Sequence, residues 1–124
     1  NDSQYINTRS NTRVGLEKFK GNLTQLITRA AWYAKTVIFV GLTKVDEART
    51  IPIPWSPQKY YDNQNIEQYN SATRSLCTER NLPFIDVLDL LTKSDLHDGL
   101  HPNSQGHQKI FEKVKSTLAE LKII

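Results

Sequence analysis

Residues 98–107 read Asp-Gly-Leu-His-Pro-Asn-Ser-Gln-Gly-His, which sets Asp98 three positions before His101. A carboxylate bonded to one imidazole nitrogen fixes the ring's tautomer and leaves the other nitrogen free to take a proton from a nucleophile. That chemistry is a general base with its orienting acid. Gly99 and Pro102 keep the segment out of a regular helix, and Pro102 suits the first position of a helix that follows. A tight turn folds Asp98 back onto the ring, so a carboxylate oxygen is expected within about 3 Å of Nδ1.

A base of this kind needs a nucleophile, and the chain offers no clear one. None of the eight serines has a glycine one or two positions before it, as a nucleophile turn requires. Cys77 falls on a helical apolar stripe and reads as a small buried hydrophobe. His97, His101 and His107 with Asp98 would form a metal site only if His97 and His101 shared a helical face. Gly99 and Pro102 oppose that. The blander alternative for Asp98 and His101 is a structural ion pair on a loop.

The elements that must position this pair follow from hydrophobic spacing. Leu16, Phe19, Leu23, Leu26, Ile27, Ala30 and Ala34 predict an amphipathic helix over about 15–35. The apolar run 37–42, rich in β-branched residues, predicts a parallel strand covered on both faces. Ile66, Tyr69, Thr73, Leu76 and Cys77 mark a helix over about 64–80, and 83–87 a second short strand. A last helix over about 104–122 is expected to bury Ile110, Val114, Leu118 and Leu121. This alternation is an α/β architecture. The stretch from Thr43 to about Asn63 reads as a long irregular loop with Pro52, Pro54 and Trp55. It leaves the strand end where open parallel sheets place ligands, so the loop with Trp55 is expected to form one wall of the substrate site; the alternative is that Trp55 and the prolines only pin the loop to the body.

The 98–107 segment resembles the last conserved block of the SGNH, or GDSL, serine ester hydrolases, an Asp-x-x-His-Pro followed by Gly-His. The resemblance implies His101 as general base and Asp98 as its acid, with Pro102, Asn103, Gly106 and His107 as scaffold. Asn1-Asp2 resembles the end of the family's Gly-x-Asn-Asp block, which implies Asn1 as an oxyanion donor. In the isolated chain Asn1 is expected to be a frayed end. The implied fold is the C-terminal part of a flavodoxin-like α/β/α sandwich. Residues 1–124 would then be a partial domain, with the nucleophile in a preceding segment and strands 37–42 and 84–87 the last two of a 2-1-3-4-5 sheet. The implied reaction is hydrolysis of a carboxylic ester, thioester or acetyl ester, with no metal or organic cofactor. The implied partners are a small-molecule or lipid ester and, at the exposed sheet edge, either the missing segment or a second copy. The alternative is a non-catalytic fragment that associates through that edge.

Composition fits such a piece. The 124 residues contain no methionine, 38% are hydrophobic, and the formal charge is +3. The basic residues are scattered among acidic ones, without the cluster or stacking aromatics of a nucleic-acid surface. No stretch reaches the roughly 18–20 apolar residues of a membrane span. One cysteine excludes an internal disulfide and leaves the compartment open, with a lean to the cytosol.

Overall fold

The computed structural model describes residues 1–124. In chain order its elements are β1 (Tyr5–Ile6), β2 (Thr8–Thr12), α1 (Leu16–Ala30), β3 (Phe39–Val40) and α2 (Glu47–Thr50). There follow β4 (Lys59–Tyr60), α3 (Asn63–Glu79), β5 (Phe84–Ile85), a 3-10 turn (Lys93–Asp95) and α4 (Ser104–Glu120). β3 and β5 pair in parallel, Phe39 opposite Phe84 and Val40 opposite Ile85, with α3 in the crossover between them. A second, antiparallel sheet has the order β2-β1-β4.

The apolar stripes decide the packing. α1 buries Leu23 and Ile27 and lies on α3, with the Phe19 and Tyr69 rings 4.8 Å apart. α3 buries Ile66, Tyr69, Thr73 and Cys77 along one face, and its Asp62 N-cap accepts the Asn65 N–H at 2.8 Å. Val45, Ile53, Tyr61 and Ile66 form a buried cluster beside the C-terminal end of β3. Truncating a residue such as Ile66 there should cost about 2–5 kcal/mol.

Close approach of α3 to the sheet depends on Gly41. A Cβ at that position would fall 2.6 Å from Asn70 Oδ1 and 2.8 Å from the Phe84 ring. The room lets buried Asn70 accept the Leu42 N–H at 2.8 Å, while Asn63 grips Val45 through both its N–H and its carbonyl. Two asparagines of α3 therefore brace the chain as it leaves β3.

Four expectations need correction. The first helix ends at Ala30, because Trp32 and Tyr33 are exposed and no packing rewards its continuation. The 37–42 run is not covered on both faces: β3 pairs only with β5, and Val40 and Leu42 are 45% and 38% exposed. Residues 43–63 are irregular only in part, since the short α2 and β4 interrupt them. β4 pairs with β1, whose turn into β2 places Asn7 at φ 63°. On α4, Ile110, Val114 and Leu118 are only half-buried and Leu121 is exposed, with Gly106 the helix's buried residue.

Candidate active site

Both oxygens of Asp98 are engaged by the turn that follows it. Oδ1 accepts the backbone N–H groups of Leu100 at 2.9 Å and His101 at 2.8 Å, and Oδ2 lies 2.7 Å from His101 Nδ1. The last distance is within the limit expected from the sequence. Burial raises the Asp98 carboxyl, but the His101 N–H, the imidazole and the Leu100 N–H outweigh it and hold its pKa at about 2. An ionised carboxylate at Nδ1 requires that nitrogen to carry the ring proton, which leaves Nε2 as the acceptor.

The turn is held from both sides. Its base closes through the His97 N–H on the His101 carbonyl at 2.8 Å and a bridge between Leu96 and Pro102. Beneath it, Asp46 N–H donates to the Gly99 carbonyl and Arg49 Nη2 to the His97 carbonyl. Gly99 has φ +90°, and a Cβ there would meet Arg49 Cβ at 2.6 Å. Glycine is thus required twice over, by conformation and by space.

The helix behind the turn is anchored with equal economy. Asn103 caps α4 by accepting the Gln105 and Gly106 N–H groups at 3.0 Å and donates to the Ser94 carbonyl. Buried Asp95 accepts from Thr92 and from Lys109 of α4. The Lys109 bond, followed by those from Thr92, lowers its pKa to about 2. Gly106 lies so near the Asp95 carbonyl that a Cβ would approach within 2.5 Å.

His101 lines an open cavity of about 230 Å³. Asn1, Ser3 and Thr43 complete the polar part of its lining, and Leu42, Val45, Tyr61, Ile66 and Leu100 form its apolar part. Asn1 is not frayed: its Oδ1 accepts the Tyr61 hydroxyl at 3.0 Å and its carbonyl accepts the Gln4 N–H. Burial, partly offset by Arg13, pushes the Tyr61 phenol up and keeps it a donor. Asn1 Nδ2 is then left to donate elsewhere. Trp55 stacks beside the imidazole, with ring centroids 6.0 Å apart and planes 26° from parallel.

The other chemically suggestive residues do not converge on this point. Cys77 is 1% exposed, and burial raises its thiol pKa, the opposite of an activated thiolate. No three His, Cys, Asp or Glu side chains gather in a metal-binding group. Ser3 lines the cavity, but no hydrogen bond joins its hydroxyl to His101. Sequence reasoning takes the 43–63 stretch as one wall of the site but gives no individual role to Tyr61, Arg49 or Val45, and it places Ile66 only on a helical stripe. Asn7 between Ile6 and Thr8 was the one local signal of the hairpin that holds Asn1 near Tyr61.

An α/β fold with a carboxylate-histidine pair beside the sheet's C-terminal end defines a class of hydrolase-like domains. The model of the GDSL-like lipase/acylhydrolase family matches residues 1–109, and the chain belongs to that family. Its fold is similar to a GDSL-like lipase from Bacteroides thetaiotaomicron, with a TM-score of 0.72 and 17% identity, over 89% of this chain and 55% of that one. It is also similar to the lipase/acylhydrolase from Enterococcus faecalis, at 0.67 and 20% over 86% and 52% of the two chains. An acetyl-xylooligosaccharide esterase from Geobacillus gives 0.62 and 18% over 82% and 46%. The chain therefore spans about half the length of the solved structures it matches. No curated protein matches it in sequence.

Proposed function

We propose that residues 1–124 supply the acid-base part of the active site of a serine ester hydrolase that cleaves carboxylic ester, thioester or acetyl-ester bonds. One observation carries the reading: the 2.7 Å Asp98–His101 pair borders an open cavity of mixed polar and apolar lining that Asn1 also lines. The nucleophilic serine comes from polypeptide outside these residues. That segment, or a second copy of the chain, pairs with the free edge of β3.

The proton path follows from the tautomer. His101 Nε2 takes the serine proton as the serine oxygen attacks the acyl carbon, and Asp98 stabilises the imidazolium that results. The tetrahedral oxyanion gathers donors, among them Asn1 Nδ2, which the Tyr61 bond to Oδ1 leaves available. One good donor is worth about 2.7–4 kcal/mol in the transition state. His101 then returns the proton to the leaving oxygen, and water repeats the sequence on the acyl enzyme. Because the leaving oxygen must face His101, the Trp55 ring beside it contacts the leaving-group side of the substrate. The scheme calls for no metal or organic cofactor.

The test is turnover of 4-nitrophenyl acetate by the natural polypeptide that contains residues 1–124. His101→Ala should lower kcat by several orders of magnitude, and Asp98→Asn by about 10⁴-fold through loss of the correct tautomer. Near-wild-type turnover in either variant overturns these roles, and strong inhibition by a chelator favours a metal mechanism instead.

A further inference from the structure

Asp98 alone does not fix the His101 ring. The imidazole is 65% exposed, and a single 2.7 Å bond at Nδ1 leaves it free to pivot about that bond, which swings Nε2 away from an attacking oxygen. One face of the ring is covered by Trp55, whose indole lies 6.0 Å away between centroids, with the planes 26° from parallel. We propose that Trp55 is a positioning residue for the base: its indole fixes the plane of the His101 ring and stabilises the imidazolium formed in the reaction. The inference rests on the ester-hydrolase reading above and deepens it. Both rings belong to residues 1–124, so the contact needs no further polypeptide.

An exposed indole can hold another ring only if its own backbone is held. Trp55 sits at the tip of a turn that the Ser56 N–H closes on the Ile53 carbonyl at 3.0 Å, with Pro54 in the position where such turns favour proline. At its base the Ile53 N–H donates to the Lys59 carbonyl and the Lys59 N–H to the Ser56 carbonyl, each at 2.9 Å. Ile53 is 1% exposed and belongs to the buried cluster of Val45, Tyr61 and Ile66. The core therefore grips the turn through Ile53. Trp55 itself stays 54% exposed, so pinning the loop does not account for a tryptophan at this position.

The stack also favours one protonation state. When the serine O–H bond breaks, its proton goes to Nε2 and the positive charge spreads over a ring that faces the indole, whose π face attracts cations. The charge is relieved when the proton passes to the leaving oxygen. The other charged groups of this region are Asp98 at Nδ1, Arg49 on the His97 carbonyl, and Asp46 with Lys93 at 3.1 Å. Replacing Trp55 changes none of these, so the variants below read the ring contact alone.

The first measurement needs no turnover. Imidazolium quenches the fluorescence of an indole stacked on it, so tryptophan emission of the natural polypeptide should fall on acidification through the imidazole range, and this fall should vanish in both His101→Ala and Trp55→Phe. The second measures kcat/KM on 4-nitrophenyl acetate and on methyl acetate, whose leaving group is too small to reach Trp55. Trp55→Ala, with its cooperative thermal transition retained, should lose about ten- to a hundredfold on both esters, and Trp55→Phe should recover most of the loss. The acid limb of the Trp55→Ala pH profile should move down by roughly half a pH unit, because the imidazolium has lost its partner. A loss confined to the nitrophenyl ester, an unmoved acid limb, or an emission change that survives in Trp55→Phe overturns the positioning role while the hydrolase reading stands. Absence of His101-dependent turnover on both esters overturns the two together.

Discussion

Asp98 is the most heavily committed side chain of the site, with two backbone N–H groups and an imidazole on its two oxygens. Its pKa of about 2, and the same value at Asp95, are both depressed from an ordinary 3.8. A depressed carboxyl stabilises the fold fully above its unfolded pKa and loses that contribution as pH falls through the folded one. Thermal stability should therefore decline from about pH 4 toward pH 2. Circular-dichroism melts of Asp98→Asn and Asp95→Asn should each show a shallower decline over that window. An unchanged pH slope in both variants would mean that other carboxylates govern acid unfolding.

At the scale of elements, the junction of α4 with the 3-10 turn fixes the far end of the His101 segment. Gly106 makes it possible, because the Asp95 carbonyl lies 2.5 Å from where a Cβ would stand. Alanine is the better helix former by about 1 kcal/mol, yet the clash is with backbone, which cannot rotate away. Overpacking of this kind costs about 1–3 kcal/mol, so Gly106→Ala should lower Tm despite its higher propensity. A Tm equal to or above wild type would show that α4 can shift without cost. Gly21 is the control, since nothing lies within 4 Å of its Cβ position and Gly21→Ala should raise Tm.

For the whole molecule, the parallel sheet has only β3 and β5, and two strands are marginal by themselves. β3 presents an unpaired edge with Val40 and Leu42 exposed beside it, the arrangement that recruits another strand. Under the proposed function, residues 1–124 alone should hydrolyse no ester and should self-associate in sedimentation experiments. Val40→Lys with Leu42→Lys should reduce that association. Turnover by these residues alone, or a monomer at every concentration, would show that the edge needs no partner.

Local rules make the Asp98–His101 pair and the main elements legible in the chain itself. An aspartate three residues before a histidine, with Gly99 and Pro102 excluding a helix, favours a turn that folds the carboxylate back onto the ring, as Asp98 does here. Apolar spacing likewise specifies α1, α3 and α4, since only one face of each can be buried. The short antiparallel sheet escaped because Thr8–Thr12 has no apolar alternation: its strands are held by backbone pairing and by Arg9 on Asp62, not by a buried face. The burial of each stripe escaped too, as Leu121 and Val40 show, because exposure depends on what lies opposite. Only the tertiary structure brings Tyr61 to Asn1, Arg49 under Gly99 and Trp55 against His101, across separations of 60, 50 and 46 positions. The sequence by itself determined which side chains could move a proton and that a turn before α4 carries them. The cavity beside them belongs to the packing of α3 on the segment after β3, where no single stretch of chain holds the shape.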